Sequence, residues 1–150
     1  MKQLACKIGV AVALASMASF GAQAADVAGV TDTEIKVGTF GPLTGPVYIY
    51  GKLTMNGVEV YFNKLNEKGG IHGRKLVLVR EDDLCKPEAA IAAVKKLIYE
   101  HKVFAILGGG CSNSTLAARP EIEKAGVPFH VFAAVADGFN SNLACASTTP

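Results

Sequence analysis

"ILGGGCSNST", residues 106–115, sets three glycines, a cysteine and three hydroxyl side chains between an apolar run and a segment of helical character. On its own the stretch is open to four readings. It could be a phosphate loop, an elbow presenting a nucleophilic cysteine, an anchor for a disulfide, or a cradle for some other anion. Its place in the order of strands and helices decides the fold.

The apolar run before it, "VFAILGG" from Val103, reads as a strand, and Ser112 to Lys124 reads as a helix closed by Gly126. Pro120 falls inside that helix and is expected to kink or shorten it. Upstream, "EIKVGTF" alternates apolar and polar positions and runs into "GPLTGP", a strand ending near Phe40 followed by a glycine loop. From about Gly51 to Lys68, the residues Met55, Val58, Phe62 and Leu65 recur at helical spacing, and Gly69-Gly70 stops the helix. "KLVLVRED" is a second strand. Pro87 suits the first turn of a second helix, with Ala90, Val94, Leu97 and Ile98 on one apolar face. "VPFHVFAA", residues 127–134, is a fourth strand. Strands alternating with helices predict an α/β fold, a parallel sheet with helices on both faces. Ligands of such sheets bind beyond the carboxyl ends of the strands. The unusual segments 41–45, 81–85, 108–114 and 133–137 all follow strands, at that end.

The first 24 residues predict the compartment. Lys2 and Lys7 head an apolar stretch from about Ile8 to Phe20, and Ala22-Gln23-Ala24 has the small-x-small form of a signal-peptidase site. The run is shorter than the roughly 20 apolar residues of a membrane span. Leu4-Ala5-Cys6 precedes the apolar run, whereas a lipoprotein box follows it. Export with cleavage after Ala24 is therefore expected. The remaining residues, 25–150, make one domain at most. Losing Lys2 and Lys7 takes the 15 basic residues to 13, equal to the 13 acidic ones. A neutral chain offers no basic surface for nucleic acid or an acidic membrane. Cys85, Cys111 and Cys145 remain, an odd count that implies one pair and one free thiol in an oxidising space. Spacing does not say which two pair.

Four segments in register carry a family resemblance. "VGTFGPLTGPVYIYG", "LNEKGGIHGRKLVLVREDD", "CKPEAA" and "ILGGGCSNST" resemble, in order and spacing, the type I periplasmic solute-binding proteins of ABC importers. The nearest group is the leucine/isoleucine/valine-binding branch, and the similarity runs from about Thr31 to Asp137. The resemblance implies two α/β lobes closing on a ligand, with an ABC permease in the inner membrane as partner and no catalysis. It implies a Cys85–Cys111 bridge, closing a loop of about 27 residues worth about 3–4 kcal/mol in the chain-entropy model. Cys145 is then the free thiol.

The other readings of 106–115 lose ground on chemistry. A nucleotide phosphate loop ends in Gly-Lys-Ser/Thr, and no lysine follows these glycines. A nucleophilic Cys111 needs a histidine within reach. His72 falls in a turn before the second strand, His101 at the amino end of the third, and His130 inside the fourth. Cys85, Cys111 and His130 lack any short ligand-pair spacing for a metal. The anion cradle survives beside the disulfide. Helix-start amides are unpaired and the helix dipole favours an anion, so a ligand carboxylate can sit at Ser112. The resemblance supports this, since the residue after this cysteine holds the ligand carboxylate in the family. The alternative is that Ser112 only caps its helix.

Further residues carry over by position. Tyr50 falls where the family places an aromatic wall over the ligand, the alternative being an exposed tyrosine at a helix start. Ala133 and Ala134 match small residues whose backbone faces the ligand. The next family residue is usually Thr, and here it is Val135, which leaves room for a less polar carboxylate such as an aromatic or aliphatic acid. Asp82 and Asp83 read as loop braces, and Thr44 is ambiguous. Family members run to roughly two to three times this length, in line with two domains. The resemblance therefore implies that residues 25–150 hold most of a first lobe. Other readings are a ligand sensor of the same fold and a secreted cysteine enzyme.

Overall fold

The computed structural model describes residues 27–135. The expected signal segment, the cleavage site at Ala24 and Cys145 lie outside the described residues. Four strands and three helices alternate. They are β1 (Glu34–Gly41), α1 (Tyr48–Glu67), β2 (Lys75–Asp82), α2 (Pro87–Lys95), β3 (Ala105–Gly108), α3 (Ser112–Ala125) and β4 (Phe129–Val131). All neighbouring strands pair in parallel, in the order β2-β1-β3-β4.

Side-chain alternation along the strands divides the core between two faces. Val37, Leu76, Leu78 and Leu107 pack with Val58, Phe62 and Leu65 of α1. On the other face Phe40, Val79 and Ile106 pack with Ala90, Ala93, Val94 and Leu97 from the α2 side and with Ala118 and Ile122 of α3. The expected sandwich of a sheet between helices is therefore present. Full burial of a side chain such as Leu97 or Ile106 contributes about 1.5–3 kcal/mol.

Local chemistry accounts for the element ends. Gly69 and Gly70 take positive φ beyond α1, as the sequence predicts. The Asn66 side chain then clamps Leu76 of the edge strand, its Nδ2 donating to the Leu76 carbonyl at 2.9 Å while the Leu76 N–H donates to Oδ1 at 2.7 Å. Pro87 opens α2, and the helix runs on through a π-type turn at Lys96–Glu100. Phe40 of β1 stacks on Phe129 of β4 across the intervening strand, ring centroids 5.9 Å apart. Gly108 of β3 makes this possible, because a Cβ there would meet Phe40 Cδ1 at 2.9 Å.

Three sequence expectations change in detail. Helix α3 runs continuously from Ser112 to Ala125, so Pro120 does not shorten it. Pro120 is exposed, and the Leu116 residue whose carbonyl it cannot bond is only half-buried. Strand β4 covers only Phe129–Val131, so Ala133 and Ala134 lie in the loop beyond it. Helix α1 begins at Tyr48, three residues before the expected Gly51, which puts Tyr50 inside its first turn.

Candidate functional site

The loops after β1, β2, β3 and β4 meet at the carboxyl end of the sheet. Their centre is Pro42, fully buried in the Gly-Pro pair that ends β1. A Cβ on Gly51 of α1 would lie 2.1 Å from the Pro42 carbonyl oxygen, and one on Gly110 would lie 2.9 Å from Pro42 Cδ. Helix α1 and the loop before α3 therefore seat on the same proline, and glycine is required at both positions. Sequence reasoning did not single out Pro42, and its signal is the "GPLTGP" run itself.

Two cross-links reach over the end of β1. Cys85 after β2 and Cys111 before α3 form a disulfide with Cα atoms 5.5 Å apart, the pairing the family resemblance implied. Beside it, Asp83 is completely buried. The Cys85 N–H donates to Asp83 Oδ1 and the Ser114 hydroxyl to Asp83 Oδ2, both at 2.8 Å. The bridge and the carboxylate hold a turn in which Leu84 and Cys85 both take positive φ.

Asp82 braces the loop on the other side. Its Oδ1 accepts from the N–H groups of Leu43 and Leu84 at 2.9 Å each, and its Oδ2 accepts from the Thr44 hydroxyl at 2.6 Å. Both aspartates are thus loop braces, and Thr44 is the partner of Asp82. Burial opposes ionisation of Asp82, but the bonds from Thr44, Leu43 and Leu84 outweigh it and hold its carboxyl below the usual range. At Asp83 burial dominates, helped by the charge of Asp82, and raises the carboxyl despite the bonds from Cys85 and Ser114.

Helix α3 begins with its first amides unclaimed among the described residues. Its N-cap is Cys111, whose side chain is held in the disulfide and makes no capping bond. The helical ladder starts with the Thr115 N–H donating to the Cys111 carbonyl at 3.0 Å, so the amides of Ser112, Asn113 and Ser114 precede it. The Thr115 hydroxyl turns back to that same carbonyl at 2.7 Å, and the Ser114 hydroxyl, whose hydrogen goes to Asp83, lies 3.1 Å from it. Ser112 is the first helical residue and not the cap. Its Oγ accepts the Val135 N–H at 3.2 Å, and its own hydroxyl hydrogen has no acceptor among the described residues.

The five site residues expected from sequence fall beyond three of the strands, Tyr50 in the first turn of α1, Ser112 at the start of α3 and the other three in the loop after β4. Ser112 and Val135 are in contact, with the Val135 side chain 87% exposed. Ala133 and Ala134 lie on the short path from β4 to Val135. Tyr50, 68% exposed, stands beside Gly51 on the α1 turn seated against Pro42. The histidines do not join them. His101 Nε2 pairs with Glu81 Oε1 at 3.2 Å, and His130 is exposed within β4.

A family model of periplasmic binding proteins matches residues 34–149. An amino acid binding protein of Pseudomonas aeruginosa is 34% identical over 94 residues, 63% of this chain and 25% of its own length. A Leu/Ile/Val-binding protein homolog of Brucella abortus is 38% identical over 104 residues, 69% of this chain and 26% of the relative. This chain thus spans about a quarter of the length of the curated relatives it matches. Among solved structures, the branched-chain amino acid transporter substrate binding protein LivJ of Streptococcus pneumoniae, in complex with isoleucine, superposes with a TM-score of 0.69. It is 29% identical, with 73% of this chain and 31% of that one covered. An ABC transporter solute binding protein of Rhodopseudomonas palustris, in complex with 3,4-dihydroxy benzoic acid, gives a TM-score of 0.61 at 33% identity, covering 67% and 27%. With its parallel sheet, its bridged loops and its matched residues in agreement, the chain belongs to the periplasmic binding proteins and is similar to their Leu/Ile/Val-binding group.

Proposed function

We propose that this chain is the first-lobe portion of an exported, two-lobed solute-binding protein. In this reading it captures a small carboxylate in the periplasm and delivers it to an ABC permease of the inner membrane. The observation that carries it is the start of α3. Three amides lie ahead of the helical ladder, the N-cap side chain is held in a disulfide, and the free hydroxyl hydrogen of Ser112 sits beside them. That set of donors suits an anion with two oxygens. Tyr50 supplies an exposed ring on the first turn of α1, and the backbone at Ala133 and Ala134 supplies the third side.

The ligand class is a carboxylate with an apolar body. Val135 brings no hydroxyl to the site, which favours an aromatic or aliphatic acid alongside the branched-chain amino acids. The benzoate-bound relative supports the first and the isoleucine-bound relative the second. A cysteine enzyme is disfavoured, because Cys111 is tied in the bridge. Calorimetry on the two-lobed protein with L-leucine, L-isoleucine, 3,4-dihydroxybenzoate and their neutral amides tests the reading. Binding of at least one acid, and weaker binding of its amide, is the expected result. Equal binding of acid and amide would remove the carboxylate site.

A further inference from the structure

Asp83 is a fully buried carboxylate that the proposed carboxylate site does not use as a donor, yet it stands at the same helix start. Its Oδ2 takes the hydroxyl of Ser114 at 2.8 Å, two residues along the first turn from Ser112. Two anions at one helix N-terminus compete for one dipole and repel each other. We propose that Asp83 sets the anion selectivity of the site, with its negative charge opposing the ligand carboxylate and its protonation admitting it. This rests on the carboxylate reading of the α3 start.

Among the described residues only neutral donors, the Cys85 N–H and the Ser114 hydroxyl, offset that charge, and no countercharge pairs with it. The neighbouring charge at the end of β2 is Asp82, of the same sign. From β1 comes only the Gly41 carbonyl, which accepts the Asp83 N–H at 3.1 Å. From α3 comes the neutral Ser114 hydroxyl, and the Cys85–Cys111 bridge carries no charge. Lys86 and Glu88 at the start of α2 are exposed. The described ion pairs engage Glu59, Glu81 and Glu123, and none reaches Asp83. Burial and Asp82 both raise the proton affinity of Asp83, so it takes up a proton at a higher pH than an ordinary aspartate. An arriving carboxylate raises it further. Ligand binding is therefore linked to proton uptake at this residue.

Asp83→Asn separates charge from position, because an amide oxygen still accepts the Cys85 N–H and the amide is close in shape to the carboxyl. The experiment measures L-leucine and L-leucinamide binding to the two-lobed protein and to Asp83→Asn, from about pH 7.5 down to about pH 4, just above the ordinary aspartate value. Leucine affinity of the unmodified protein is expected to rise as pH falls through the Asp83 midpoint. Asp83→Asn is expected to bind leucine roughly 3- to 10-fold more tightly at about pH 7.5, lose that pH dependence, and leave leucinamide unchanged. Unchanged or weaker leucine binding by Asp83→Asn, with the pH profile intact, overturns this proposal and leaves the carboxylate reading standing. No binding of leucine, benzoate or 3,4-dihydroxybenzoate by the unmodified protein overturns both. Carbon NMR of the Asp83 carboxyl gives a reading without ligand, and a midpoint at or below about 3.9, the ordinary aspartate value, would overturn the proposal.

Discussion

Cys85 and Cys111 are bonded across the end of a strand that separates their own strands. Cys85 follows β2, Cys111 follows β3, and β1 lies between β2 and β3 in the sheet. The bridge therefore ties the β2 loop to the α3 start over the top of β1, with the Asp83–Ser114 bond alongside. Local contacts alone would leave these loops 26 residues apart in sequence and independently mobile.

Loss of that bridge is expected to lower the unfolding free energy. Paired Cys85→Ser and Cys111→Ser substitution should cost about 2–4 kcal/mol, measured by urea unfolding of oxidised protein. Non-reducing peptide mapping should recover Cys85 linked to Cys111 and Cys145 as a free thiol. A bridge from Cys145 to either partner would show that the pairing seen here is not the one formed in the oxidised protein.

Ser112→Ala in the two-lobed protein should weaken binding of a carboxylate ligand by about 1.5–3 kcal/mol, the scale of one hydrogen bond to a charged group. That corresponds to roughly 10- to 100-fold in Kd. The neutral amide of the same ligand should be affected far less, because it gains less from each donor. Equal losses for acid and amide would mean that Ser112 holds the Val135 loop in place and does not meet the carboxylate.

Asp82 and Asp83 should push acid stability in opposite directions. Asp82 has a depressed carboxyl in the fold, so its stabilisation is complete above the ordinary aspartate range and disappears as pH falls through its lowered midpoint. Asp83 has a raised one, so the fold gains from its protonation as pH falls toward that range. Asp82→Asn should thus flatten the acid limb of a stability profile below the ordinary aspartate value of about 3.9, and Asp83→Asn should steepen it above that value. Thermal unfolding of both variants from about pH 6 down to about pH 2 is the check, and parallel profiles would contradict these directions.

Thr39 offers a contrasting case. It is completely buried on the α1 face of β1, and its hydroxyl has no partner among the described residues. Thr39→Val keeps the shape and removes the unpaired group, so it should stabilise the protein by about 1 kcal/mol. A loss of stability in urea unfolding would reveal a partner for that hydroxyl.

Much of this was legible in the residues. Alternation in "EIKVGTF" and "KLVLVRED", helical spacing of Met55, Val58, Phe62 and Leu65, and the stop at Gly69-Gly70 are local patterns, and each element appears where its pattern lies. Periodicity reports which face a residue presents, and that is a property of neighbours in sequence. The limits of β4 and the continuity of α3 through Pro120 were less legible, because strand pairing and solvent exposure decide them.

What the sequence determined by itself was the alternating α/β order, the parallel sheet and the gathering of unusual segments at its carboxyl end. The strand order β2-β1-β3-β4, the seating of Gly51 and Gly110 on Pro42, and the burial of Asp83 against Ser114 were decided only by the tertiary structure. Each of these joins residues remote in the chain, and their distances come from how helices pack on the two faces of the sheet. A carboxylate at position 83 looks the same in sequence whether it is solvated or sealed. Its proton affinity, and with it the chemistry proposed for the site, depends on the packing that shuts water out.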